Sequence, residues 1–198
     1  MCSRFENMVG PDSLNGRYGV LAPLGYRASS DIRPDNEVLI VTAAGGALRR
    51  WGLKAPWDNR LIINARAETV AQKSTFRRLL GSRCLIPATA WYEWQAVPGA
   101  KRKRKYVLMP ADGESFAFAG LTDGERVVML TRAPAPEIAH VHDRMPAVLA
   151  RGDEARWIDP QAGFDQVRGL LDGGGTRYAS EPVDDAPSPP KRQPDLFE

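Results

Sequence analysis

Thiols and imidazoles are scarce in this chain. Its 198 residues carry two cysteines, Cys2 and Cys84, and two histidines, His140 and His142. No CxxC or CxxH spacing links them, which argues against structural zinc modules and disulfide scaffolds. Long apolar runs are also missing. Nothing approaches the roughly 18–20 residues of a membrane span, and the opening MCSRFENMVG lacks the apolar stretch of a signal peptide. A soluble cytoplasmic protein with no membrane partner is expected, nucleoid-associated if the source is bacterial. There is no internal repeat and no large charge of one sign. The formal net charge of +3 is compatible with a polyanion partner but does not demand one. With 43% hydrophobic and 26% charged residues, the composition fits neither a disordered nor a collagen-like chain. One domain of this length buries roughly 70% of its unfolded surface and needs no staples.

What is present reads as α+β: one domain over residues 1–181, with mostly antiparallel strands forming a barrel-like core and short helices flanking it. Strand-like runs occur at Glu37–Thr42, Leu61–Ala65, Cys84–Ile86 continuing through Trp91–Gln95, Lys105–Met109, Phe116–Leu121 and Arg126–Thr131. They are short, β-branched or aromatic, and bounded by Gly, Pro or Asp. Apolar spacing predicts a helix over Glu68–Leu80, with shorter ones at Asp153–Trp157 and Phe164–Leu171. All are expected around a single core. From Pro182 to Glu198 there are five prolines and few apolar residues, predicting an extended, disordered tail.

Cys2 follows the initiator methionine. Methionine is removed before small residues, so the mature chain should begin with this cysteine. It then carries an amine and a thiol on adjacent carbons, with ordinary pKa values of about 7.7–8.0 and 8.5. Such a 1,2-aminothiol condenses with an aldehyde to an imine, and the sulfur then closes a five-membered thiazolidine. Alternatively, the thiol attacks an amide with the amine as base. Three further segments carry chemistry: Leu61–Thr69 (LIINARAET), Pro87–Trp94 (PATAWYEW) and His142–Pro146 (HDRMP). Each also has a plain structural reading. Asn64 can cap a turn, Glu93 can face away from its aromatic neighbours, and His142 can be a satisfied surface residue. His140, His142 and Asp143 also allow a metal site if HVHD is a strand; the favoured reading has neither metal nor cofactor.

Taken together, MCSRF, the tryptophan-glycine segment Arg50–Trp57, NARAET, CLIPATAWYEW, FAFAGL and HDRMP resemble the SRAP (SOS response-associated peptidase) family, in family order from residue 1 to about 180. Two departures stand out: Ser3 where the family usually has Gly, and Asp31-Ile-Arg-Pro-Asp-Asn36 in place of Asn-(Ile/Val)-Ala-Pro-Thr-Gln. The resemblance implies covalent capture of abasic sites in single-stranded DNA by a monomer, through a thiazolidine on Cys2. Within it, Glu93 is the general acid on the sugar oxygen, Asn64 holds the amine or the finished ring, and His142 moves protons. A thiol peptidase using Cys2, and a non-covalent single-strand binder, are the rival readings.

Arg4, Arg66 and Arg144 flank these residues and suit phosphodiesters. Trp51 and Trp57 offer stacking surfaces for bases. Lys101, Arg102, Lys103, Arg104 and Lys105 form the densest basic run, either a phosphate contact or a solvated hairpin loop. Finally, Gln193, Leu196 and Phe197 in the terminal QPDLF resemble the short motif that docks on the bacterial replication sliding clamp. A peptide of the last ten residues is therefore expected to bind the clamp in a fluorescence-polarisation titration, and Leu196→Ala with Phe197→Ala to abolish that binding.

Overall fold

A computed structural model describes residues 2–55 and 58–183. In chain order they form β1 (Phe5–Asn7), α1 (Pro11–Tyr18), β2 (Ser29–Ile32), β3 (Glu37–Thr42), β4 (Gly45–Trp51), β5 (Leu53–Ala55), β6 (Asp58–Ile62) and β7 (Asn64–Arg66). There follow α2 (Ser74–Arg77), β8 (Arg83–Ala88), β9 (Ala90–Gln95), β10 (Arg104–Pro110), β11 (Phe116–Thr122), β12 (Arg126–Arg132) and β13 (Met145–Pro146). The last elements are α3 (Glu154–Trp157), α4 (Phe164–Val167) and β14 (Tyr178–Pro182), with short 3-10 turns at Pro136–Ile138, Arg151–Asp153 and Arg168–Asp172.

Five strands close into a barrel. β3 pairs with β4 and β8, β8 with β11, and β11 with β12. A short parallel register between β12 and β4 shuts the ring, and β7 lies parallel to β12 beyond it. A second, antiparallel sheet has the order β14-β10-β9-β1-β2. The two are joined where β8 passes into β9. The single run expected from Cys84 to Gln95 is thus two strands that bend at Thr89, whose N–H donates to the Glu6 carbonyl at 2.9 Å. The Leu61–Ala65 run is likewise split, at Ile63, between β6 and β7.

There are three hydrophobic clusters rather than the one core expected: two large ones, because the barrel strands are buried on both faces, and a small one of Val9, Leu14 and Leu39. Successive side chains on a strand point to opposite sides. On β11, Phe116 and Phe118 join Ile40, Ile86, Met129 and Trp91 inside, whereas Ala117, Ala119 and Leu121 pack outside with Val70, Leu149 and Trp157. FAFAGL and VVML are continuous apolar runs for this reason. The outer layer is closed by short helices and by Arg83, whose buried guanidinium donates to the carbonyls of Trp157, Leu80, Asp159 and Ala162 at 2.6–2.7 Å.

The predicted helix over Glu68–Leu80 shrinks to the single turn α2. Bonds such as Thr69 N–H to the Arg66 carbonyl and Ser82 N–H to the Leu79 carbonyl make successive tight turns instead. The Arg77 side chain donates to the Ala71 and Gln72 carbonyls, occupying acceptors that helix amides would otherwise use. Val70, Phe76 and Leu79 are buried as expected; their spacing suits tight turns as well as a helix. The last two predicted helices are short α-turns joined to 3-10 turns, and Gly173 at φ 78° stops the second. Pairing continues through Pro182, opposite Tyr106, so this residue, expected to begin the tail, is in the sheet. Gln193, Leu196, Phe197 and Trp57 lie outside the described residues. Among the described residues no helix is long and apolar enough to cross a membrane.

Gly120 marks the tightest point of the barrel wall. A Cβ there would stand 2.9 Å from Cys84 Sγ and 3.0 Å from Ile86 Cδ1. Gly120→Ala is expected to lower stability by about 1–3 kcal/mol through overpacking, read as a lower denaturation midpoint with an unchanged slope.

Candidate functional site

Three elements and one loop meet at the chain's start. β1 leads Cys2 and Arg4 alongside β9, where the Tyr92 N–H donates to the Arg4 carbonyl at 2.9 Å and Phe5 pairs with Trp91. β7 brings Asn64 to the same place, its Nδ2 donating to the Cys2 carbonyl at 2.7 Å. The Asn64 Oδ1 is buried without a hydrogen-bond partner, so one acceptor on this pin is unused. The pin fixes the backbone of the residue that bears the reactive groups. Cys2 itself is fully buried, and its thiol leans on the Arg4 carbonyl at 3.5 Å.

Glu93 lies on the inner side of β9. Alternation puts it with buried Trp91, while Tyr92 and Trp94 face outward. It is thus turned away from two of its aromatic neighbours yet still walled in. Burial raises its pKa to about 7; the amino terminus opposes the rise, Asp143 adds to it, and Lys103 opposes it more weakly. A carboxyl poised there can both give and take a proton near neutrality. Burial, seconded by the negative charge of Glu93, also pushes the Cys2 thiol well above its ordinary range. The resting sulfur is therefore a thiol rather than a thiolate.

His142 completes the group, with Nε2 at 3.9 Å from Glu93 Oε2. Its loop is fastened to β9 by Gln95, whose Nε2 donates to the His140 carbonyl at 2.7 Å. Gln95 is a contributor that sequence reasoning missed, although its position two residues beyond Glu93 on one strand face was a usable signal. Burial holds the His142 imidazole below its ordinary pKa, with the amino terminus and then Lys103 lowering it further and Asp143 opposing.

The expected metal alternative does not assemble. HVHD follows a 3-10 turn and is not a strand, and the His140 ring packs edge-on against Tyr106 at 5.9 Å. No group of three His, Cys, Asp or Glu among the described residues is placed to hold a metal ion.

The expected DNA-binding residues separate into distinct situations. Trp51 is corrected to core: it is fully buried, donates Nε1–H to the Ile63 carbonyl and stacks edge-on with Phe5, so it presents no face to a base. Arg144 is engaged as a fork on Glu68 at 2.6 and 2.9 Å, and reaches the Thr131 carbonyl at 2.7 Å. Arg4 is ion-paired with Asp31 at 2.7 Å and lies over the Tyr92 ring. Asp31 belongs to the segment that departs from the family pattern, so that departure is read out directly on Arg4. Arg66 is exposed and shares a strand face with Asn64. Lys101, Arg102 and Lys103 form the exposed loop between β9 and β10, with Arg104 and Lys105 beginning β10. That run is both a hairpin loop and a neighbour of the site, since the charge of Lys103 is felt by Glu93 and His142.

The sequence profile described as SOS response associated peptidase (SRAP) matches residues 1–186. The chain is 33% identical over 183 residues to YoaM of Bacillus subtilis, named an abasic site processing protein; the match covers 81% of this chain and 80% of that one. It is 27% identical over 143 residues to YedK of Escherichia coli, which bears the same description, covering 65% of this chain and 63% of that one. A crystal structure of a Bordetella bronchiseptica protein superposes with a TM-score of 0.78 at 24% identity, over 92% of this chain and 99% of the other.

The raised Glu93 pKa has a consequence for stability. Folding favours the protonated carboxyl, so that contribution is complete below pH 4.5 and is lost as pH rises through about 7. Glu93→Gln removes the titration, and the variant should gain on wild type by roughly 3 kcal/mol between pH 4.5 and 8, measured as the difference in denaturation midpoints across that range.

Proposed function

The chain belongs to the SOS response associated peptidase family, and from that membership we propose that it captures abasic sites in single-stranded DNA as a covalent thiazolidine on Cys2. The observation that carries this reading is the meeting of Cys2 with a buried carboxyl, Glu93, whose pKa lies near 7. A half-protonated acid beside an amine and a neutral thiol suits carbonyl condensation.

The steps follow from these groups. Once the initiator methionine is gone, Asn64 holds the Cys2 backbone, and its unused Oδ1 can accept from the new amine. Protonated Glu93 gives its proton to the sugar ring oxygen as that oxygen leaves the anomeric carbon, and the anomeric hydroxyl returns a proton to the Glu93 carboxylate as the aldehyde forms. The amine lone pair attacks that carbon, and the carbonyl oxygen takes up a proton. Loss of this oxygen as water, with a proton from His142 or Glu93, leaves an iminium. The thiol then adds to the same carbon, and its proton passes to whichever group gave one up as water left, the neutral His142 ring or the Glu93 carboxylate. The net exchange is one C–N and one C–S bond for the carbonyl oxygen, released as water.

The thiol state weighs against the peptidase reading. A cysteine peptidase needs a thiolate stabilised by a neighbouring cation, and on Cys2 burial and the negative charge of Glu93 outweigh the opposing pull of the amino terminus. Single-stranded DNA would approach past exposed Arg66 and the Lys101–Lys105 run, with Arg4 exchanging Asp31 for a phosphate.

An oligonucleotide with one abasic site, incubated with the protein and boiled in SDS, should give a shifted band. Cys2→Ala should remove it, yet borohydride should still trap an imine through the remaining amine. Glu93→Gln should slow band formation by about 10²-fold or more. A band equally durable in Cys2→Ala without reductant would overturn the ring-closure step, and cleavage of a peptide substrate without DNA would favour the peptidase.

A further inference from the structure

His142 Nδ1 has two neighbours that make opposite demands on it. The Arg144 N–H donates to it at 3.0 Å, which requires a lone pair. The Asp143 Oδ1 stands 2.8 Å from the same nitrogen, which is favourable when that nitrogen carries a proton. Both come from the two residues after His142, so the loop itself presents the alternatives. The other ring nitrogen, Nε2, points toward Glu93.

We propose that Asp143 is a positioning residue that sets where His142 carries its proton, allowing Nε2 to act in turn as donor and acceptor within the capture site. The inference rests on the reading of the site given above. With Nδ1 bonded to Arg144, the ring is neutral and Nε2 holds the proton. When a second proton arrives, Asp143 receives the Nδ1–H and holds the imidazolium. The Nε2 proton then passes to the departing hydroxyl of the carbinolamine, water leaves, and the ring, now neutral, keeps its Nδ1–H on Asp143. Its Nε2 lone pair is free to take back the proton released when sulfur adds. Asp143 touches neither sugar nor sulfur; it acts through the imidazole.

The groups facing this imidazole are few. Glu93 faces it from β9, Lys103 from the basic hairpin, and Asp143 and Arg144 from its own loop, and the charge of the amino terminus is felt as well. Lys103 and the amino terminus disfavour the imidazolium, and Asp143 favours it. The Asp143 side chain is 87% exposed, so replacing it disturbs no packing.

The test uses the full chain and two readouts. With only two histidines, proton NMR resolves both imidazoles, and His140→Gln assigns them. Asp143→Asn should move the His142 titration about one pH unit lower and leave that of His140 in place. The pH profile of crosslinking to an abasic oligonucleotide should shift by the same amount, and Asp143→Glu should restore both. An unmoved His142 titration would overturn the proposal without reference to DNA. A shifted titration with an unshifted crosslinking profile would overturn its link to the reaction. A uniform rate loss at every pH would assign Asp143 a merely structural part. If the titration shifts but neither protein crosslinks, the assignment of Asp143 to His142 stands and the capture reading fails.

Discussion

Keeping one carboxyl out of water beside the chain's second residue is the constraint on which the rest of the architecture depends. A carboxylate in that position is disfavoured by desolvation, and the group answers by keeping its proton to near neutral pH. That condition holds only while the surroundings stay dry and fixed. Trp91, behind Glu93 on the same strand face, meets Phe116, Phe118 and Tyr178 edge-on, and Phe118 in turn meets Phe5 of β1. The barrel is thus the rigid backing of a reactive end, and the second sheet carries that end on two of its strands.

Positioning by main chain recurs around the site. Asn64 grips the Cys2 carbonyl, the Tyr92 amide grips the Arg4 carbonyl, and Gln95 grips the His140 carbonyl. Each bond fixes a path of the chain and leaves the reacting atoms untouched. Such second-tier support holds the geometry of a site within the narrow tolerance that condensation chemistry requires. The Arg144 fork on Glu68 and Thr131 does similar work from the other side, tying the histidine loop to the barrel strand β12 and to the turn after β7.

Much of this was legible in the amino-acid order. β3 has the bounds its EVLIVT run predicts, and the runs that became β10, β11 and β12 needed extension by only one or two residues at their ends. The ordered motifs around Cys2, Asn64, Glu93 and His142 identified the residues that the fold brings together. What was hidden is non-local. β1 is three residues long and owes its place to partners at Ile32 and Trp91, which no local pattern reveals. The burial of Trp51 follows from Phe5 and Ile63, distant in sequence. The tight turns after β7 carry a helical apolar spacing, and only the competition of the Arg77 side chain for carbonyls tells the two apart. α1 did offer a signal, with Pro11 at its first turn and Gly19 at φ 64° closing it, but its single buried residue, Leu14, leaves almost no periodicity to detect.

The barrel strands bury both of their faces, and this has an evolutionary corollary. Along β11, position 118 belongs to the cluster that includes Cys2, and position 119 belongs to the one that includes Trp157. Neither parity is free to drift, because each mutation is felt in a packed interior of its own. Substitution is least constrained in the hairpins that face solvent, such as the exposed loop joining β9 to β10. A change of charge in such a loop leaves both interiors unaltered.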